Sequence, residues 1–153
     1  MAATVFLPLH KTSFPCGWSF YVKDGHLKSC HNLLGIKRWY TQAETALPSG
    51  KHQLRMEFAY EGGGLGKGGD VSLYVDGGRV GEGHVDLTQP LSYSVDETLD
   101  IGFDSGTPVA EDYTVQTSRF NGTIEWVQLD QGLDDHDHLI SPEERFRLAL
   151  HRD

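Results

Sequence analysis

The stretch LPSGKHQLRMEFAYEGGGLGKGGDVSLYVDGGRVGEGHV, residues 47–85, carries the clearest folding pattern in the chain. Bulky and polar side chains alternate through its first half. One face would hold His52, Leu54, Met56, Phe58 and Tyr60, and the other Gln53, Arg55, Glu57 and Ala59. A period of two is typical of a half-buried strand in an antiparallel sheet. A Gly-rich loop, a second alternating run (Val71, Leu73, Val75) and a turn at Gly77-Gly78 predict further antiparallel strands.

Similar short runs recur along the chain, separated by Gly, Pro or Asp-Gly. They predict strands near residues 3–9, 17–23, 26–34, 36–41, 51–60, 70–76, 79–86, 91–95, 98–103 and 119–129. Residues 104–118 break the alternation and predict a long structured loop. The spacing indicates an all-β fold, an antiparallel β-sandwich of the jelly-roll kind.

The end of the chain differs from the rest. The sequence Ser141-Pro142-Glu143-Glu144 combines an N-cap, a proline at the first helical position and a capping-box glutamate. We therefore predict three parts: a sandwich domain at 1–130, an acidic linker at 131–140, and a short helix at 141–152. This helix would pack on the sandwich or on a partner.

Size and charge exclude some classes of partner. The chain has 153 residues, which suits a single domain, and a formal net charge of −9. Such a charge repels phosphate backbones and anionic lipid, so we expect neither a nucleic-acid nor a membrane partner. The first residues lack the basic and apolar regions of a signal peptide. If Met1 is the native start, we expect a cytoplasmic protein.

The two cysteines are expected to be free thiols. A hairpin turning on Asp24-Gly25 would set Val22 opposite Leu27 and Ser19 opposite Cys30. Cys16 would then lie about 10 Å from Cys30 at the usual strand rise. A disulfide needs Cα atoms within about 7 Å, and free thiols suit a reducing compartment.

Several segments together resemble one family. They are GWSFYVKDG (17–25), NLLG (32–35), LPSGKHQLRMEFAYEGGGLGKGG (47–69), VSLYVDGGRVGEG (71–83), DETLDIGFDSGTPVAEDY (96–113), FNGTIEWVQLD (120–130) and DHDHLISPEERFRLAL (135–150). Their order and spacing resemble the C-terminal β-sandwich domain of the large bacterial type I arylsulfatases. The resemblance implies a concanavalin-like or laminin-G-like sandwich that accompanies a catalytic domain.

The resemblance does not extend to sulfatase chemistry. Those enzymes carry a C/S-x-P-S-R motif, and Cys16 lies instead in PCGWSF. We therefore expect a non-catalytic accessory domain that docks on a sulfatase-type catalytic domain or self-associates. Two alternatives stay open. One is a lectin-like module that binds a glycan or sulfated ligand, and the other is a small enzyme of isomerase, lyase or cyclase type using the concave groove.

The Gly-rich loop is the first candidate site. Gly64, Gly66 and Gly69 form a G-x-G-x-x-G pattern around Lys67. A dinucleotide site needs this pattern between a parallel strand and a helix, whereas here it joins antiparallel strands. A mobile loop rich in positive-φ glycines explains the pattern without a ligand. The binding interpretation has Lys67 meeting an anion or a partner domain.

Acidic residues around the long loop form a second candidate. Residues 104–113 include Asp104, Asp112 and Tyr113, which we select as ligand or partner contacts. Oxygen ligands from Asp100, Asp104 and Asp112 could hold Ca²⁺, although we favour the simpler interpretation that these carboxylates lie on solvated polar faces. His136 and His138 lie in the acidic linker. Their spacing could bind a metal, but a polar linker before a helix explains them without one.

Aromatic residues are the third candidate, as a platform for sugar or another small ligand. The set comprises Trp18, Tyr21, Trp39, Tyr40, Tyr60, Tyr74, Tyr93 and Tyr113, with His31 and His52 nearby. Of these, His31, His52 and Trp39 are selected as site residues. Trp18, Phe20, Phe58 and Trp126 are predicted to belong to the core instead.

Overall fold

The computed structural model describes residues 5–9, 16–90 and 99–129, with side chains from Gly17 onward. The chain is mostly β, as predicted. Its strands are β1 (Val5–Leu9), β2 (Cys16–Lys23), β3 (His26–Leu33), β4 (Lys37–Gln42), β5 (Leu54–Tyr60), β6 (Gly69–Val75), β7 (Gly78–Val85) and β8 (Asp100–Ile101). Within these ranges, the 3-10 turn Val115–Thr117 is the one helical element. No helix in the described portion has the length and apolar character of a membrane span.

The strands form two antiparallel sheets. The first has five strands in the order β4-β3-β2-β1-β8, and the second has three in the order β5-β6-β7. Pairing in the first hairpin sets Val22 opposite Leu27 and Ser19 opposite Cys30, which confirms the predicted register. Cys30 is a buried free thiol.

Two Asp-Gly turns connect the tightest hairpins. Asp24 and Gly25 have φ of 51° and 75°, and Asp76 and Gly77 have φ of 49° and 83°. Positive φ at both central residues marks the primed turns, whose twist matches that of the strands they join. The predicted turn at Gly77-Gly78 is therefore wrong by one residue, because Gly78 already pairs with Val75. Aspartate tolerates the left-handed region well enough to take the first position.

The two sheets pack face to face over one apolar cluster. Phe20, Leu27 and Ala43 come from the five-stranded side, and Val71, Leu73 and Val85 from the other. The sheets come closest where β4 crosses β7. A Cβ added to Gly81 would lie 2.7 Å from the carbonyl oxygen of Gln42, so the approach requires glycine there.

The opposite face of the five-stranded sheet is also covered. Val109, Ala110 and Tyr113 pack there against Tyr21 and Cys30. These three residues belong to the long loop predicted at residues 104–118. Together with the two residues before it, we call this segment the outer-face loop (residues 102–118). Because both faces are covered, β3 is buried almost continuously from Leu27 to Asn32.

Some predictions differ from the structure. The strand expected at 98–103 is only the two-residue β8, because Gly102 turns the chain at φ 86°. Residues 119–129 form no strand. Alternating polar and apolar side chains predict which side of a strand is buried, but a strand also needs a neighbouring strand to accept and donate its backbone hydrogen bonds. Phe58 and Trp126, expected in the core, are exposed. The predicted strand at 91–95, the linker at 131–140 and the helix at 141–152 lie outside the described residues.

Candidate functional site

The Gly-rich loop (residues 61–68) is held in one shape by hydrogen bonds to its base. The hydroxyl of Tyr60 donates to the carbonyl of Gly64 at 2.7 Å and accepts from the backbone N–H of Lys67 at 2.9 Å. Thr88 closes the other side, because its hydroxyl and its backbone N–H both donate to the carbonyl of Lys67. The loop is therefore pinned at its centre and at its end, rather than loose.

Glycine is required for this shape. Gly62, Gly64 and Gly66 all have positive φ, at 70°, 102° and 71°, where other residues are strained. The backbone bonds leave the Lys67 side chain exposed, and it forms no ion pair with any residue in the described ranges. The prediction of positive-φ glycines is confirmed.

Three exposed apolar side chains lie on this loop and on two segments tied to it. Ile36 is 80% exposed in the turn between β3 and β4, Leu87 is 52% exposed after β7, and Leu65 is 44% exposed within the loop. The three segments are linked, because Lys37 pairs with Asp86 and Thr88 bonds Lys67. We call this surface the loop end, defined by Ile36, Leu65, Lys67 and Leu87.

A cleft of about 310 Å³ opens between the sheets beneath the loop end. Trp18, Met56 and Phe58 form its walls, Val71 and Val85 lie deeper, and Thr88 connects it to the Gly-rich loop. Residues Gln128 and Leu129 border the same space. No Asp, Glu, Lys or Arg is found among the described residues that line the cleft.

The polar residues that line this cleft are Ser29, His31, Thr88 and Gln128. The His31 side chain is buried, with 7% of the residue exposed, and its Nε2 has no hydrogen-bond partner among the described residues. Burial lowers its pKa from 6.5 to about 4, so the ring is neutral at physiological pH. Trp39 lies beside it, with ring centroids 5.9 Å apart, and the Lys37 ammonium lies 4.7 Å from the Trp39 ring centroid.

The polar groups of the outer-face loop form hydrogen bonds within the loop and to the five-stranded sheet. The Asp104 carboxylate is fully buried and accepts from the Tyr113 hydroxyl and the Val109 N–H. Burial raises the pKa of Asp104 above its ordinary value, against the lowering effect of these donors. Val109 in turn accepts from Asn32 and Arg38, so the loop is tied to the sheet at several points.

Asp112 is occupied by a second set of contacts. It accepts from Tyr21 at 2.8 Å and pairs with Lys28 at 2.9 Å. Burial alone would raise the pKa of Asp112, but these two donors outweigh it and lower it. Asp100 accepts from Ser105 instead. The three predicted calcium ligands thus have separate partners, and calcium binding stays a prediction.

His52 lies at the other end of β5, eight residues from Tyr60 and roughly 26 Å away at strand rise. Its Nδ1 is 2.6 Å from the Asp76 carboxylate, while its Nε2 is buried and has no hydrogen-bond partner in the part of the chain that the structure describes. Asp76 also accepts from the backbone of Gln53. Trp126, which is 56% exposed, borders the same hollow.

Two carboxylates and one histidine form an exposed cluster beside the three-stranded sheet. Glu61, Asp70 and His84 each place a ligand atom within 4.8 Å of the others. All three are exposed, and hydrogen bonding to Asp70 raises the pKa of His84. Mutual pairing explains this grouping without an ion.

The predicted site residues therefore fall into three groups. Gly64, Gly66 and Lys67 lie in the Gly-rich loop at the loop end, His31 lines the cleft, and Trp39 packs against His31. Asp104, Asp112 and Tyr113 are together on the outer face, and His52 stands apart. Sequence reasoning missed Thr88 and the structural role of the Tyr60 hydroxyl. The position of Tyr60, two residues before the first glycine of the loop, was the available signal.

Comparisons with known proteins add nothing to this geometry: no family model, no curated protein and no solved structure matches the chain.

Proposed function

We propose that this chain is a non-catalytic accessory domain that docks on a catalytic domain through its loop end. In finer detail, the proposal is a concanavalin-like or laminin-G-like jelly-roll sandwich with a C-terminal helix. Its partner would be a sulfatase-type catalytic domain, as the sequence resemblance to the bacterial arylsulfatase C-terminal module implies. The domain would shape the mouth of that partner's active site.

The observation that carries the proposal is the loop end itself. Three apolar side chains there stand in solvent on segments that hydrogen bonds and an ion pair hold together. An exposed apolar cluster on a fixed backbone is typical of a protein interface. Lys67, exposed beside Leu65, adds a positive charge to a chain of net −9, which suits an acidic rim on the partner.

The test is a binding assay with a bacterial arylsulfatase catalytic domain from which its own C-terminal module has been removed. Calorimetry measures affinity, and hydrolysis of 4-nitrophenyl sulfate measures the effect on the active site. We expect the wild-type chain to bind and Leu65→Glu to weaken binding about tenfold or more, as burying an unpaired charge in an interface does. Ile101→Glu is the matched control, because Ile101 is also 44% exposed but lies on the sheet edge.

Two results would contradict the proposal. One is that the chain binds no such catalytic domain, and the other is that both substitutions weaken binding equally. If the chain instead forms a dimer that Leu65→Glu dissociates, the loop end is an interface between copies. Light scattering at increasing concentration separates that outcome from docking on a catalytic domain.

A lectin-like module is the second candidate, favoured by the hollow around His52. Exposed Trp126 stands there beside Asp76 and Glu125. An open aromatic face with neighbouring carboxylates suits stacking on a sugar ring, with hydrogen bonds to its hydroxyls. A glycan that raises the melting temperature of wild type, but not of Trp126→Ala, would support this candidate. Absence of any such glycan in an array would count against it.

A further inference from the structure

A pocket of about 200 Å³ lies where the outer-face loop meets the end of β2. Lys23, the last residue of β2, and Arg119, the residue after the loop, are the basic residues that line it. Tyr21, Tyr113 and Phe120 provide aromatic walls, and no Asp or Glu is found among its described lining residues. Arg119 is exposed and Lys23 is half-buried, so a ligand entering from solvent can reach both.

These two cations lack the carboxylate partners that other basic residues have. Within the described ranges, ion pairs hold Lys28, Lys37, Arg38, Lys51, Arg55 and Arg79. No carboxylate that the structure describes pairs with Lys23 or Arg119. Asp112, which the outer-face loop brings to this side of the sheet, is already paired with Lys28. The pocket therefore carries positive charge that the described residues do not compensate.

The fold presents both cations to the pocket. Tyr21 packs against the outer-face loop, and Lys23, two residues further along β2, projects from the same face of the strand. The Arg119 guanidinium stacks on Phe103, 4.9 Å from the ring centroid. Stacking covers the face of the guanidinium and leaves the N–H groups along its edge to donate to a ligand.

Charge and size indicate which ligand suits this pocket. Two cations match a group of charge near −2, and a phosphate monoester carries about −1.5 to −2 at pH 7. The edge of a guanidinium fits two phosphate oxygens. An apolar cavity of about 150 Å³ accepts a benzene ring, so about 200 Å³ has room for a phosphate group and part of the molecule that carries it. The net charge of −9 acts weakly here, because salt screens exposed charges beyond about 10 Å.

We propose that this pocket binds the dianionic phosphate group of a small molecule, with Lys23 and Arg119 donating to its oxygens. This site goes beyond the docking function, since it uses the end of β2 and the outer-face loop rather than the loop end. Either proposal can fail without the other.

The experiment compares phenyl phosphate with phenyl sulfate, which have similar shapes but differ by about one unit of charge. Each is titrated into the full chain at pH 7.5 and constant ionic strength, and ¹H–¹⁵N spectra give the affinity. We expect phenyl phosphate to bind with Kd of about 1 mM, within reach of a ligand of this size. Phenyl sulfate should bind at least about fivefold more weakly. The amides of Lys23 and of residues 117–121 should shift most. A parallel titration with inorganic phosphate shows whether the phosphate group alone is enough or the aromatic walls add affinity.

Substitutions isolate the two cations. Lys23→Gln and Arg119→Gln should each weaken phenyl phosphate binding at least about fivefold, because each removes a charge-assisted hydrogen bond. Arg79→Gln is the matched control, since it removes the same charge from an exposed arginine outside the pocket. It should change the affinity by less than about twofold. Circular dichroism checks that each variant folds.

The proposal is overturned if phenyl phosphate shifts no amide around the pocket, or if phenyl sulfate binds equally well. It is also overturned if Arg79→Gln weakens binding as much as Arg119→Gln does, because the anion would then respond only to net charge. Each of these outcomes is independent of whether the loop end docks on a catalytic domain.

Discussion

Replacing His31 should change how the stability of this domain depends on pH. His31 is buried in the inter-sheet cleft, and its pKa falls from 6.5 in an exposed chain to about 4 in the folded one. Between these two values the unfolded chain binds a proton that the folded chain does not. The free energy of unfolding therefore falls as pH falls from about 6.5, and the loss is complete near pH 4.

The size of this effect follows from the shift. One pKa unit corresponds to about 1.4 kcal/mol, so the fall in the pKa of His31 from 6.5 to about 4 sets an upper limit of about 3.5 kcal/mol. Most of it, about 2.5 kcal/mol, is lost by pH 4.5, and about 1.4 kcal/mol is already lost by pH 5.5. Against a total stability of about 5–15 kcal/mol for a domain, this change is readily measured.

The assay is urea unfolding of wild type and His31→Phe at several pH values between 4.5 and 7.5. Wild type should lose about 2.5 kcal/mol more than the variant across this range. The pKa of Asp104 is also raised by burial. Because Asp104 titrates in both proteins, its contribution cancels when the free energy of unfolding of the variant is subtracted from that of wild type. Parallel pH profiles would refute the reasoning, since they would mean that His31 accepts a proton in the folded state without cost.

Three further substitutions test the fold around the site. Gly81→Ala should destabilise the domain by about 2 kcal/mol or more in urea unfolding, because the new Cβ would meet the Gln42 carbonyl. Gly78→Ala on the same strand has space, with its nearest neighbour at 3.5 Å, and should change stability by less than about 0.5 kcal/mol; equal effects would contradict the packing of β4 on β7. Tyr60→Phe removes both hydroxyl bonds of the Gly-rich loop and should increase amide exchange at Lys67 while costing about 1 kcal/mol in total stability. Unchanged exchange would mean that the hydroxyl does not hold the loop. Asp104→Ala removes the carboxylate that accepts from the buried Tyr113 hydroxyl and from the Val109 N–H, and it should cost about 2–4 kcal/mol by thermal or urea unfolding. A near-neutral result would contradict a stabilising role for these two hydrogen bonds.

The strands were predictable wherever a local pattern was enough to define them. Alternation and Asp-Gly turns located β2, β3 and β5 to β7 within about three residues of the observed bounds. Residues 119–129 alternate just as well but form no strand. A strand also needs the unpaired edge of another strand for its backbone hydrogen bonds. Whether such an edge is nearby depends on where distant segments of the chain are placed.

Candidate residues were predictable by type but not by grouping. The sequence selected Lys67, His31 and Asp104 as chemically suitable. It could not show that Thr88 joins the Gly-rich loop to the cleft of His31, because that link spans 21 residues and two elements. Nor could it show that Asp104 would be fully buried, since burial arises from the outer-face loop folding over the sheet.

The two loops that the sequence selected differ in what they leave available to a partner. In the outer-face loop, the carboxylates of Asp104 and Asp112 accept bonds from tyrosine and lysine side chains of the same domain. A partner would have to displace these bonds before gaining any of its own. In the Gly-rich loop the internal bonds involve the backbone, so the side chains of Leu65 and Lys67 remain exposed on a backbone that is already ordered. Binding there costs little conformational entropy, which favours the loop end over the outer face as the surface that meets a partner.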